Sequence, residues 1–406
     1  MVANVLVAGA GVAGLAAAIE LSRCGHMVTV LDKSAQNDLA YPWKDCICRE
    51  QTERLTGKTL DQAFVHKYEN TFYCSPFGGT RLLSDRSQVS FFLFDRRELH
   101  RMLLECAEEN GVSFCFEAAV TEPIFTANRV IGVRTQGKSW LADLVVDALG
   151  VNSPLRRRLP KLFGIERDYG EDDVFYAYRA YFRKRKNVSQ PEVPFATYLL
   201  HNGEKGLSWV NTEEELVDVL VGRTEPMTPA KLRRALDSLM RSNPIIGDDV
   251  IADGFGVIPI RRPLKKFVCD GYAAIGDSAY MTYPFSGSGI DLSMDAAHIL
   301  GECVKNSAAF GEMISEQCLL NYQNTYLSVY GASLTADDLL KRQMLRTNPR
   351  ALEHFFRCGL ITQAAFEGGS QATTPSQILK SLMYPLSLAH LGLAGAKGNR
   401  LKRNAQ

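Results

Sequence analysis

Asn4-Val5-Leu6-Val7-Ala8-Gly9-Ala10-Gly11-Val12-Ala13-Gly14 is the stretch from which the architecture can be worked out. Its first five residues read as a short buried strand. The next six form a G-x-G-x-x-G turn. Leu15 to Cys24 is alanine-rich and helix-forming, and Gly25 can stop it. Met27 to Leu31 is a second β-rich run, and Asp32 follows it. A strand–turn–helix–strand unit closed by an acid suits a dinucleotide. Gly9 permits the tight turn. Gly11 lets backbone approach a pyrophosphate, and Gly14 lets the helix pack on the strand. The pyrophosphate would rest on the free N–H groups and positive end of the helix. Asp32 would accept hydrogen bonds from a ribose. The competing reading is a glycine-rich αβ turn with no ligand.

Residues 2–19 carry no charge, a length that touches the membrane-spanning range of about 17–25 residues. Three spaced glycines and the switch to a β pattern argue against a span. No basic segment or cleavage site precedes the run, so a cytoplasmic protein is expected. The net charge of +1 over 406 residues gives no reason to expect nucleic acid. The ten cysteines include no paired C-x-x-C sets, so neither a metal site nor a disulfide scaffold is signalled.

Four further stretches narrow the chemistry. Phe94 to Leu103 looks like a helix start with Asp95 as N-cap. An arginine in a first turn opposes the helix dipole. Arg96 or Arg97 therefore reads either as an anion ligand or as a solvated surface side chain. Leu144 to Asp147 reads as a buried strand entering a polar turn, Ala148 to Ser153, and the run Arg156-Arg157-Arg158 reads as a solvated helix face. Gly271 to Ala279 is another apolar strand, closed by Gly276-Asp277. Tyr283-Pro284-Phe285-Ser286-Gly287-Ser288-Gly289-Ile290 is a glycine-rich loop feeding a helix. Such a loop can point several N–H groups one way, toward an anionic or carbonyl-rich ligand.

Together these stretches resemble the FAD-dependent oxidoreductases of the p-hydroxybenzoate hydroxylase type, and within them the geranylgeranyl reductase family. The resemblance covers about half the chain, roughly 1–160 and 250–305. It implies that Gly9, Gly11 and Gly14 hold the FAD pyrophosphate and that Asp32 binds the adenosine ribose, with Ala13, Lys33 and Val120 also among the cofactor-binding residues. It implies that Arg96 reaches the cofactor, and that Gly276 and Asp277 meet its ribityl or ribose chain. Pro284, Gly287, Ser288, Gly289 and Ile290 would lie along the flavin pyrimidine edge, with backbone N–H groups of 287–290 stabilising negative charge there. The D-A-x-G-x-x-S stretch matches Asp147, Ala148, Gly150 and Ser153, and the I-P-I piece matches Ile258-Pro259-Ile260.

The family's C-x-E segment matches Cys48-Arg49-Glu50, with Cys46 two residues earlier. Cys46 and Cys48 are the catalytic candidates, as proton donor or substrate positioner; inert buried thiols are the alternative. Where the family shows G-Y-x-W-x-F-P, this chain has Gly206-Leu207-Ser208-Trp209-Val210-Asn211-Thr212, keeping the Gly and Trp and losing the Tyr and Phe-Pro. Trp209 and Tyr283 are the substrate-lining candidates. The W-x-W-x-I-P signature of the halogenases that share this fold is missing. No second G-x-G-x-x-G unit follows, so electrons are expected from transient NAD(P)H or from a small redox protein.

The expected fold is α/β. A Rossmann-like FAD domain comes from 1–60, 95–165 and 250–310. An antiparallel substrate sheet comes from 61–94 and 166–249, and a helical region from 311–406. The expected activity is reduction of C=C bonds in a hydrophobic, isoprenoid-like molecule. FAD monooxygenation of an aromatic or lipophilic substrate is the alternative, and a flavin electron carrier or quinone-linked protein is a third. Leu379 to Ala396 is apolar and runs into Lys397, Arg400, Lys402 and Arg403. That end reads either as a peripheral membrane contact or as a frayed basic helix end.

Overall fold

The computed structural model describes residues 2–61, 65–67, 70–84, 91–309 and 314–361, in two compact units. The first unit takes 1–68, 90–173 and 258–335. Its main sheet has six strands in the order Val268–Cys269, Tyr272–Ala274, Leu144–Asp147, Asn4–Ala8, Met27–Leu31, Ser113–Cys115. All pairs are parallel except the first. Parallel strands buried on both faces should be continuous apolar runs, and Val5, Leu6, Val7, Val145 and Val146 are all buried. The glycine-turn helix, Val12–Arg23, packs on this sheet with Ala16, Ala17 and Ala18 fully buried. Gly25 ends it with φ +83°, as the sequence suggested.

Two small antiparallel sheets complete the unit. One joins Val120–Phe125, Val130–Thr135 and Lys138–Leu141. The other joins Lys44–Cys48, Phe91–Asp95 and Val65–Lys67. The strand Phe91–Asp95 feeds the helix Arg96–Glu109, and Asp95 caps it by accepting from the N–H groups of Arg97 and Glu98.

The second unit takes 69–89, 174–257 and the chain from 336 on. Its sheet has seven strands in the order Ile246–Pro259, Val174–Lys184, Leu216–Arg223, Gly206–Thr212, Phe195–Leu199, Thr71–Cys74, Arg81–Ser84. The expected antiparallel pattern holds from Val174–Lys184 to Phe195–Leu199. Phe195–Leu199 and Thr71–Cys74 then run parallel, because the latter enters from a distant part of the chain. Side chains alternate across the sheet. Tyr178, Phe182, Tyr198, Val210, Val217, Val219 and Val221 pack under the helix Pro229–Ser242 through Ala235 and Leu239. Trp209 pairs with Thr197 and Leu220 and so lies on the opposite face.

The described part of the C-terminal region, up to residue 361, is mostly helical, and its helices are shared out. Glu316–Tyr326 belongs to the first unit. Pro349–Arg357 belongs to the second, where Leu352 and Phe356 pack on Leu199 and Leu200. No helix among the described residues is long and apolar enough to cross a membrane. The segment 379–403 lies outside the described residues.

Candidate cofactor site and its reactive edge

The three glycines of the first turn have different jobs, and the geometry separates them. A Cβ on Gly14 would sit 1.9 Å from the Gly9 carbonyl oxygen, and one on Gly9 would sit 2.5 Å from the Ala148 carbonyl oxygen. Those two glycines let backbone pack against backbone. Around a Cβ on Gly11 nothing lies within 4 Å. Gly11 caps the helix in extended conformation with no side-chain partner for the first N–H groups. The turn thus presents open space at a helix N-terminus, the arrangement that receives a pyrophosphate.

Asp32 ties this turn to the second strand. It accepts from Ala10 N–H at 2.7 Å and from Ser34 N–H at 2.8 Å. One lone pair per oxygen remains for a ribose. Ala118 N–H donates to the Asp32 carbonyl at 2.7 Å, which brings Val120 to the same edge. Val120 is buried there, and Lys33 is exposed. Ala13 packs against Gly276, where an added Cβ would lie 2.5 Å from the Ala13 Cβ.

Asp277 sits half-buried in the short turn Gly276–Ala279, and among the described residues its side chain makes no hydrogen bond. Burial pushes its carboxyl up to about 6, and the nearby Arg96 charge opposes that rise. Arg96 donates to Asp45 at 2.8 Å, while its buried Nε has no partner among the described residues. Of the two arginines considered, Arg96 therefore faces inward. An acceptor and a donor are left open beside each other, both suited to the hydroxyls of a ribityl or ribose chain.

The loop 283–290 is narrower in function than expected. Gly287 N–H is spent on the Tyr283 carbonyl, and Ser288 N–H on Ser286 Oγ. Among the described residues, the Gly289 and Ile290 N–H groups at the start of the helix Ile290–Ala309 have no acceptor. Gly287 holds φ +73° and its missing side chain makes room for Ile258. Gly289 lies against the Met281 carbonyl and Thr282. Pro284 is buried beneath the loop. Tyr283 is also buried, donating to Asp291 at 3.0 Å and packing on Leu292, Leu334 and Tyr330. Through these contacts Tyr283 supports the loop.

Cys46 and Cys48 lie on one face of the strand Lys44–Cys48, with buried Ile47 on the other. Cys48 caps the helix Arg49–Thr56. Its thiol is pushed above its ordinary value, first by burial and also by the Asp291 charge; the Gln51 and Glu50 N–H groups pull the other way. Thr52 bridges the Cys48 carbonyl and Met294 Sδ, at 3.1 and 3.7 Å. Cys48 is therefore the cysteine beside the start of the helix Ile290–Ala309. Trp209, in the second unit, lies under Arg179 at 5.6 Å and beside Phe195 at 6.1 Å, and its Nε1–H has no partner.

Sequence reasoning missed the groups that hold these loops in place. Arg156, read as part of a solvated face, is completely buried. It donates to the carbonyls of Ser278 and Val151 and to Tyr280 Oη. Asp147 accepts from Ser153, Tyr272, Ser278 and Leu149 N–H. Tyr280, in the left-handed region at φ +58°, is held between Arg156 and Arg261. Arg261 is itself anchored by Glu166 and Asp173. A signal for Arg156 did exist: it stands three residues after Ser153, the N-cap of its short helix.

The family described as FAD binding domain matches residues 2–329. The chain belongs to that family. This flavoprotein is similar to a digeranylgeranylglycerophospholipid reductase of Methanococcoides burtonii, 26% identical over 368 residues and covering 86% of each chain. It is similar as well to a kynurenine 3-monooxygenase of Salinispora arenicola, 26% identical over 386 residues and 84% of each chain. Among solved structures, it shares its fold with a geranylgeranyl bacteriochlorophyll reductase-like protein of Thermoplasma acidophilum. There the TM-score is 0.78 at 16% identity, over 97% of this chain and 99% of that one. The protein is an FAD-dependent oxidoreductase, with the fold expected from its motifs. The open space at Gly11, the unpartnered Arg96 Nε and the unbonded Asp277 carboxyl each fit the cofactor.

A first prediction concerns Asp277. Asp277→Ala removes a charge-assisted contact and should weaken FAD binding by about 1.5–3 kcal/mol, roughly ten- to a hundredfold. Hydroxyl donors favour the ionised carboxylate, so bound FAD holds the Asp277 carboxyl below its ligand-free value of about 6. The affinity is then full above that pH and falls as pH drops through it. Asp277→Asn should flatten the profile. Fluorescence titration across pH checks both, and a profile identical in wild type and Asp277→Asn would exclude this role.

Proposed function

We propose that this flavoprotein reduces carbon–carbon double bonds of a lipophilic, isoprenoid-type substrate, with Cys48 as the proton donor. The observation that supports this most is the position of the Cys48 thiol beside Asp291, at the helix start that follows the 283–290 loop. Bound FAD supplies the electron pair that no side chain can hold. Reduction then needs one proton on the second carbon. A thiol raised above its ordinary value stays protonated at neutral pH and can give that proton from Sγ. Asp291, also raised by burial and hydrogen-bonded to Tyr283, is placed to return one. Gly289 and Ile290 N–H groups favour negative charge at the cofactor edge. The reductase names of relatives such as that of M. burtonii support the substrate class. The electron donor is proposed to be transient NAD(P)H or a small redox protein.

Cys48→Ser tests the assignment. The serine hydroxyl is a far weaker acid, so substrate turnover should fall about a hundredfold or more. FAD content and dithionite reduction of the flavin should not change. Cys46→Ser, a near-isosteric change at the half-buried neighbouring thiol, should leave turnover within about twofold. Full turnover in Cys48→Ser would remove the thiol from the mechanism.

One observation favours a second reading. The Trp209 face of the sheet carries a buried ion pair, Arg179–Asp218 at 2.6 Å, beside the orphan Trp209 N–H. A polar aromatic substrate would suit that face, as in a monooxygenase.

A further inference from the structure

The second unit holds a cavity of about 520 Å³ that the flavin chemistry does not use. It lies on the helix-covered face of the seven-stranded sheet. Arg223 continues the Val217, Val219, Val221 alternation, and Trp209 is on the other face. Its walls are the end of the strand Leu216–Arg223, the turn 202–205 and the helix Pro229–Ser242.

Arg223 is the unusual member. Its side chain is more than nine-tenths buried, at 7% exposure, and it has no carboxylate within 4 Å among the described residues. Only Nη1 is used, donating to the carbonyls of Leu207 and Gly222 and to Ser208 Oγ. Nε and Nη2 are left for something in the cavity. A buried cation is costly, and the Glu204 charge offsets that only in part: burial still holds Arg223 down at about 10. Arg234 and Arg241, on the same wall, also lack an acidic partner among the described residues. Lys231 is paired with Glu225 at 3.4 Å. The lining has five cations, Lys205, Arg223, Lys231, Arg234 and Arg241, against three carboxylates, Glu204, Glu225 and Asp237, and Lys205 has a further interaction of its own. Buried His201 stands near enough to feel the Arg223 charge; burial and that charge hold it down at about 4, so it adds no positive charge at neutral pH.

We propose that this cavity binds a phosphate monoester, with Arg223 as its buried anchor and Arg234 and Arg241 at its mouth. A phosphate monoester carries about −1.5 to −2 charge at pH 7, which suits the three arginines Arg223, Arg234 and Arg241 of this lining. Guanidinium forks suit its oxygens better than point charges do. The lipid-type and nucleotide-type sources of such a group share this chemistry, and the test separates them. The proposal does not depend on the reductase reading.

The experiment is calorimetric titration of the FAD-loaded full chain, so that the glycine turn is already filled. Glycerol 1-phosphate is one probe and adenosine 2′-monophosphate the other. Saturable one-to-one binding of either supports the site and names the source. Affinity should fall at least about tenfold in the double variant Arg234→Glu/Arg241→Glu, whose exposed positions spare the fold. It should also fall as salt rises from about 0.05 to about 0.3 M. Arg223→Met should abolish binding; should that variant misfold, the double variant still decides. Binding of neither probe, or equal binding in wild type and the double variant, overturns the proposal.

Discussion

Gly11→Val is expected to give a folded, colourless protein. The prediction follows from the contrast among the three glycines of the first turn. Valine at Gly11 enters open space in extended backbone, so the protein itself offers no obstacle. That same space is where the pyrophosphate must approach the helix N-terminus. The loss should be at least about a hundredfold in FAD affinity, or about 3 kcal/mol. Gly14→Val is the opposite case. Its Cβ would meet the Gly9 carbonyl at 1.9 Å, so the strand–turn–helix unit itself should fail. Flavin absorbance and far-ultraviolet circular dichroism on both variants separate a lost ligand from a lost fold. A Gly11→Val protein that stays yellow would contradict the assignment of the turn.

Asp147→Ala should be the most damaging single change to stability outside the glycine turn. The buried carboxylate satisfies three hydroxyls and one N–H from two turns and a strand. Removing it orphans the Ser153, Tyr272 and Leu149 donors at once and leaves Ser278 only the Gly150 carbonyl. Leaving buried polar groups unpaired costs about 1–3 kcal/mol each before relaxation, so a net loss of about 3–5 kcal/mol is expected. For a unit of this size that lowers Tm by roughly 10 °C or more. Asp147→Asn keeps the shape and should lose less. FAD retention should fall with stability in both, because Ser278 next to Asp277 is held by Asp147. Thermal melts of the two variants check the order, and an unchanged Tm in Asp147→Ala would show that water replaces the carboxylate at no cost.

How much of this was legible beforehand depended on whether local pattern or distant partners set each residue's role. The first turn was legible because its strand, glycines, helix and acid are contiguous, and each leaves its own period or residue type. The helix start at Asp95 was legible for the same reason. The Arg156–Arg158 run was not. All three arginines look alike in sequence, and only the approach of Ser278 and Tyr280, more than a hundred residues later, makes Arg156 interior. The choice between Cys46 and Cys48 was equally hidden, since it turns on the neighbouring helix that begins at Ile290. The support that Tyr283 gives its loop was hidden as well, because it depends on Asp291, eight residues on, drawing its hydroxyl inward. Arg223 carried an unread signal: it occupies a buried-face position in a strand whose neighbours there are valines.

The central claim is that electrons from this flavoprotein pass to carbon rather than to oxygen. The most direct measurement is anaerobic incubation of the dithionite-reduced, FAD-loaded protein with polyprenyl ether lipids, followed by mass analysis. The account predicts reoxidation of the flavin with a gain of two hydrogens per reduced bond, and loss of that gain in Cys48→Ser. No anaerobic turnover, with oxygen incorporated into a substrate once air is admitted, would contradict it and establish the monooxygenase reading instead.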